Sequence, residues 1–373
     1  MSDSLQALLD RAIARGAAPG LVACAFDRNG TFASAASGTS SIETGSAMSI
    51  NTTIWLASTS KTLVSLAALV LVERDGFDLD SHEELVKVVP ELGKGYPGSR
   101  VWELFDGKDE NGEWRFKQAQ KGITLRHLLT HTSGFAYDFV AEETAWLAQQ
   151  AEQAGMPFEP GSIRSYNIPR LFEAGESWCY GCSPGYIAIF IMRKTGVPLR
   201  QALWELILKP LGVAPDTLDI FVTPRMELNR ADIAMRNSTS FLTPKPFPFT
   251  MPNCENETPE GYIPFADGPF SGTALAFADV LRSFLNGSAP GSNGEKPLLS
   301  PKMWRTATQD NIGLRGMSIP QGPMFKSFVP QKINSVERLA TPKNKGVNDS
   351  LGWTPLQTLH HRNEVSALSL QCP

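Results

Sequence analysis

The chain has 373 residues, 42% of them hydrophobic and 19% charged, a balance that excludes a disordered chain and a coiled coil. A formal net charge of −4 without any dense Lys/Arg cluster leaves no positive field for a phosphate backbone, so nucleic acid is not an expected partner. The longest apolar run, Thr62 to Val72, is too short to cross a bilayer, and five cysteines (Cys24, Cys179, Cys182, Cys254, Cys372) suit reduced thiols better than a disulfide framework.

The N-terminal stretch MSDSLQALLDRAIARGAAPG reads as an amphipathic helix stopped by glycine and proline. It lacks the basic start and long apolar stretch of a signal peptide, which points to a cytoplasmic protein. Two strand-like runs follow, Leu21–Phe26 and Thr31–Ala36, with the hairpin signal Asn29-Gly30 between them. From Thr53 to Asp75, apolar residues fill most sides of a helix that begins after Ser58 and stops at Gly76, as a helix buried between two lobes requires. The segment 77–121 is polar and turn-rich, with an excursion around Lys108-Asp109-Glu110-Asn111-Gly112. In ITLRHLLTHTSGF, residues 123–135, Thr124 is placed to cap a short helix that Gly134 ends.

Residues 136–176, carrying Tyr137 and Trp146, read as a mostly helical cap, a usual place for substrate contacts. A turn at 181–185 introduces a buried helix that reaches Lys194, and further helices are expected over 199–207 and 274–286. Residues 238–270, rich in proline and aromatics without periodicity, read as a long ordered loop near a site. The chain 1–373 fits one α/β (α+β) domain with a sheet lobe over about 1–55 and 290–373 and a helical cap lobe over about 56–289.

Ser58-Thr59-Ser60-Lys61 is an S-x-x-K at the mouth of the apolar helix, and the three-residue spacing puts both side chains on one face. An amine in that position can take the hydroxyl proton once neutral, a form that desolvation at a buried helix start favours. The same helix start offers backbone N–H groups and the positive end of a dipole to a developing negative charge. The tetrapeptide alone is weak, since ordinary serine and lysine usage gives roughly one S-x-x-K by chance in a chain this long. Cys179 and Cys182 form a C-x-x-C, but no second pair and no nearby histidine completes a zinc site, so no metal is expected. His127 and His131, at i, i+4, have a spacing that could offer a base or bind a metal, but within LRHLLTHTSG they read as hydrogen-bonded core residues holding the first turn of the cap.

Other phrases accompany it in order: LASTSK, ITLRHLLTHTSG, Tyr180 within ESWCYG, and FSGTALAFADVLRSFL. With them, the chain from about residue 1 to 310 resembles the serine β-lactamase-like esterases and transferases, the superfamily of class C β-lactamases and family VIII carboxylesterases, and in its motifs the fungal lovastatin-type acyltransferases. The resemblance implies a serine β-lactamase-like fold, an antiparallel sheet flanked by helices plus a mostly helical lobe. It implies an acyltransferase or ester hydrolase with a serine acyl-enzyme, in which Ser58 is the nucleophile, Lys61 the base and Tyr180 the phenol that shares and returns the proton. A buried structural tyrosine is the alternative for Tyr180. Tyr137 stands where the acyltransferases place an active-site tyrosine, with simple packing as its alternative.

No cofactor is implied. The partners are a small-molecule acyl donor (a thioester or ester, an acyl-carrier protein among the candidates) and an alcohol acceptor. The aromatic supply of Trp102, Trp146, Trp178 and Phe270 suggests a hydrophobic, polyketide or fatty acyl substrate.

Two departures from the family pattern are present, the first matching the acyltransferase branch and only the second standing against full activity. Cys182 replaces the asparagine of the family's Tyr-x-Asn motif, which argues against β-lactam turnover. Asp349-Ser350-Leu351-Gly352-Trp353 resembles the strand before the third motif, but Thr354 to Pro373 contains no glycine, so the C-terminal strands read as incomplete, with Val365–Leu370 as a candidate substitute strand. The rival reading is therefore a catalytically silent protein of this fold that binds a ligand or partner.

Overall fold

A computed structural model describes residues 2–138, 140–155, 162–235, 243–244, 270–287, 297–309, 311–312 and 366–369. Helix α1 (Ser2–Ala14) precedes the expected hairpin of β1 (Gly20–Asp27) and β2 (Gly30–Gly38). The Asp27 carboxylate accepts the N–H groups of Asn29 at 2.7 Å and Gly30 at 3.2 Å, the side-chain turn that asparagine and aspartate favour. Alternation along β1 sends Leu21 and Ala23 to a small cluster with Leu9, and Val22, Cys24 and Phe26 to the main core.

Strand β3 (Ile54–Trp55) and a 3₁₀ turn, Ala57–Ser60, lead into α2 (Lys61–Asp75), which ends on Gly76 in the left-handed region at φ 64°. Eleven residues of α2, from Lys61 to Leu69 and then Leu71 and Val72, are buried, so this helix is covered nearly all round. The segment expected to be turn-rich holds α3 (His82–Val88), capped by Ser81, and a hairpin of β4 (Glu103–Lys108) and β5 (Trp114–Gln118) whose tip is the expected excursion.

Helix α4 (Leu125–Leu129) has the expected Thr124 cap but a different end: His131, at φ 56°, supplies the left-handed residue, and Gly134 turns the chain three residues later. The cap is less helical than expected. Helix α5 (Glu142–Gln153) is followed, among the described residues up to 176, by one 3₁₀ turn, Ile163–Tyr166. In that stretch Arg170 is fully buried and donates to the carbonyls of Val101 at 2.8 Å and Lys121 at 3.1 Å, tying the β4–β5 region to the cap.

Helix α6 (Ser183–Thr195) packs on α2, and α7 (Leu199–Leu203) continues as a π turn over Trp204–Leu208. After β6 (Leu218–Asp219), α8 (Pro224–Glu227) and β7 (Ala234–Met235), which pairs with β8 (Thr243–Pro244), comes β9 (Ser271–Gly272), joined on one side to β3 and on the other to β6. Helices α9 (Ala274–Asn286) and α10 (Pro301–Thr308) follow.

In the tail, β10 (Ser366–Ser369) lies antiparallel to β1 with Ala367 opposite Ala25, giving the order β10-β1-β2. The expected pairing of Val365–Leu370 is thus met at four of its six residues, and the reading of an incomplete sheet gains one strand. The 349–353 phrase, the glycine-free 354–365, and most of the 238–270 loop lie outside the described residues. None of the described helices is long and apolar enough to cross a membrane.

Candidate active site

The nucleophile turn is built by three short elements. Leu56 donates its N–H to the Phe270 carbonyl at 2.9 Å, and the Phe270 N–H donates to Ser60 Oγ at 3.1 Å, so one residue immediately before β9 grips both ends of the turn. Within the grip, Ala57 sits at φ 47°, a conformation uncommon outside glycine, and the Thr59 hydroxyl donates to the Leu56 carbonyl. Ser58, half-buried, is the second residue of this turn, three residues before α2 begins at Lys61.

On that scaffold the three-residue spacing does what the sequence predicts. Lys61 Nζ donates to Ser58 Oγ at 3.1 Å, from a side chain only 3% exposed. Tyr180 arrives from the turn before α6 and donates its phenol O–H to the same oxygen at 2.6 Å. The Lys61 ammonium also lies 4.9 Å from the centre of the Tyr180 ring and 5.7 Å from that of Tyr137, a cation held against two π faces. Tyr137 is buried and meets Tyr180 edge to face at 5.2 Å. All four expected site residues are therefore in one cluster.

Two backbone strips carry the tyrosines. The Tyr137 N–H donates to the Tyr180 carbonyl at 3.4 Å, and the Cys179 N–H to the His131 carbonyl at 3.0 Å. They run so close that a Cβ on Gly181 would stand 2.1 Å from the Phe135 carbonyl oxygen, which accounts for the glycine after Tyr180. Cys182, where the family pattern has asparagine, is buried at the cap position of α6.

His127 is the core residue the sequence suggests: its Nδ1 accepts the Thr124 N–H at 3.2 Å while Thr124 Oγ1 accepts the His127 N–H at 3.2 Å, a reciprocal cap. Burial lowers its pKa to about 4. His131 departs from expectation. Its side chain is buried without a partner at Nδ1 among the described residues, and its ring packs on Tyr180 at 5.2 Å and Trp178 at 6.2 Å. Burial first, and the Lys61 charge second, bring its pKa down to about 3, so the ring is neutral at physiological pH.

The aromatic supply is mostly structural. Trp102 meets His82 edge to face and donates to the Leu92 carbonyl, Trp146 packs on Phe116, and Phe270 is fully buried and holds the nucleophile turn through its backbone, leaving Trp178 as the one of the four whose ring packs on the site's His131. Among the described residues no group of His, Cys, Asp and Glu is arranged to hold a metal ion.

A serine flanked by a buried lysine and a tyrosine at the mouth of a core helix, beside an antiparallel sheet, defines a class of serine-active folds. The chain belongs to the beta-lactamase family, whose model matches residues 5–307. It is 33% identical over 192 residues to monacolin J acid methylbutanoyltransferase of Aspergillus terreus, covering 51% of this chain and 44% of the relative. It is 28% identical over 242 residues to lovastatin esterase of Penicillium rubens, covering 62% and 57% respectively. The matches thus span about half the length of these curated relatives. Among solved structures, unliganded simvastatin synthase from Aspergillus terreus superposes with a TM-score of 0.67 at 25% identity, covering 84% of this chain and 74% of that one. EstCE1, a hydrolase with promiscuous acyltransferase activity, shares the fold at a TM-score of 0.60 and 19% identity.

Proposed function

We propose that this protein is a serine acyltransferase or ester hydrolase that works through an acyl-enzyme on Ser58. The observation that carries the reading is the convergence of Lys61 Nζ (3.1 Å) and Tyr180 Oη (2.6 Å) on Ser58 Oγ. In the first half-reaction the Lys61 ammonium releases its proton to solvent, and Ser58 Oγ then bonds to the acyl carbon as its own proton passes to the free amine. The tetrahedral adduct then expels the alcohol or thiol, which takes a proton from Tyr180, and Lys61 returns one to the phenolate. The net result is acyl-Ser58 and a neutral leaving group. An acceptor alcohol or water enters by the reverse route and gives up its proton through the same pair.

The named activities of the relatives, acyl transfer and ester cleavage, support this class of reaction. The substrate class is a hydrophobic small-molecule acyl ester or thioester, an acyl-carrier protein being one form of donor, with a polyketide-derived alcohol as acceptor. Tyr137 contacts substrate at the inner wall of the site, and the protein acts in the cytoplasm on secondary-metabolite chemistry. No cofactor enters the scheme. Purified protein given a panel of acyl thioesters, with and without an added alcohol, tests it: Ser58-dependent release of thiol supports the reading, and none across the panel supports a silent binding protein instead. The partition between ester and free acid separates transferase from hydrolase.

A further inference from the structure

We infer that His131 is a positioning residue, an aromatic wall that aims the Tyr180 phenol at Ser58 and takes no part in proton transfer. Three observations on separate atoms lead there. The first is the backbone. Helix α4 ends when His131 enters the left-handed region at φ 56°, where histidine is several-fold over-represented among non-glycine residues. That turn brings its carbonyl to the Cys179 N–H at 3.0 Å, one residue before Tyr180.

The second is the ring. Its centroid lies 5.2 Å from that of Tyr180 at an interplanar angle of 53°, while Tyr137 holds Tyr180 at 5.2 Å and 68°. Tyr180 thus has two aromatic neighbours against its ring, and its phenol makes the 2.6 Å hydrogen bond to Ser58. The third is what His131 lacks. The side chain is 2% exposed and its Nδ1 has no hydrogen-bond partner among the described residues, so no chain of bonds at that nitrogen carries a proton to the site. The ionisable groups facing it are Lys61 and Tyr180, and a charge on the ring would sit against the Lys61 ammonium.

The kinetic half of the test rests on the acyl-transfer reading above; a spectroscopic half does not. His131→Asn keeps a residue that accepts the left-handed backbone and removes the ring, whereas His131→Phe keeps a ring and removes both nitrogens. With p-nitrophenyl butyrate, the Asn variant should acylate Ser58 about 10–100-fold more slowly at a KM within about threefold of wild type, the signature of a misplaced reacting group. The Phe variant should stay within about fivefold of the wild-type rate, since no proton is routed through the imidazole. Melting curves on both variants confirm that folded protein is compared.

In protein labelled with 3-fluorotyrosine, the Tyr180 fluorine signal, assigned by its loss in Tyr180→Phe, should move and broaden in the Asn variant and remain sharp in the Phe variant. An Asn variant with wild-type acylation and an unmoved signal overturns the inference, and so does a Phe variant as slow as Asn, which would make the imidazole nitrogens the working part. If wild type itself forms no acyl-Ser58, the functional reading fails. The fluorine signals alone then decide: movement in Asn but not in Phe upholds His131, and no movement in Asn overturns it.

Discussion

The phenol oxygen of Tyr180 lies 2.6 Å from Ser58 Oγ although 122 residues separate the two in the chain. Ser58 comes from the turn gripped by Phe270, Tyr180 from a strip pinned by His131 and Tyr137, so the contact is made by two independently supported segments. It follows that Tyr180→Phe should remove the shared proton and leave the packing. We expect the rate of acyl turnover to fall by about 10²–10⁴ with little change in Tm. A collapse of Tm would instead mark Tyr180 as a structural tyrosine, and differential scanning fluorimetry beside a rate assay separates the two.

Lys61→Arg should not restore activity to the level of lysine. A guanidinium stays protonated and cannot receive the Ser58 proton, and its planar head does not fit a site that is 3% exposed between two tyrosine rings. Near-normal turnover by the Arg variant would mean that another group is the base.

Gly181→Ala tests the close approach of the two strips. The added methyl would stand 2.1 Å from the Phe135 carbonyl oxygen, so the backbone on one side must move, taking Tyr180 or Tyr137 with it. The expected cost is about 1–3 kcal/mol of stability, as for other overpacked sites, together with a clear loss of rate. A variant with the wild-type Tm would show that the strips are looser than drawn.

Stability should fall with acid earlier than carboxylates alone would cause. In the unfolded chain both histidines bind a proton near 6.5, whereas burial delays this to about 4 in folded His127 and about 3 in folded His131. Between those values the unfolded state holds more protons, so this stability is complete above pH 6.5 and is lost progressively as pH drops toward 3. His127→Gln retains a capping-box side chain and removes one titration, so its Tm should vary less steeply than wild type across that window. Parallel Tm profiles would contradict the assignment.

Much of this arrangement is legible in the residues. Periodicity fixes α2 as a buried helix, its three-residue spacing brings Ser58 and Lys61 together, and Asn29-Gly30 marks the first hairpin. Tyr180 and Tyr137 could be placed beside Ser58 only through family resemblance, because contacts across the long intervening chain leave no local pattern. The β4–β5 hairpin was hidden since its outward face is charged: Asp106, Lys108 and Lys117 are exposed, and only Leu104 and Phe105 are buried. The spacing predicts His131 as a hydrogen-bonded core histidine; it is buried, but its left-handed backbone breaks the helical spacing with His127 and its ring lies against Tyr180 with Nδ1 unpartnered among the described residues.

The central claim, that Ser58 carries the acyl group, is tested most directly by intact-protein and peptide mass spectrometry after exposure to a fluorophosphonate or a p-nitrophenyl ester. The account predicts a single adduct on the peptide that contains Ser58, absent from Ser58→Ala and slowed in Lys61→Arg and Tyr180→Phe. An adduct on another residue, or equal labelling of the Ser58→Ala protein, would contradict it.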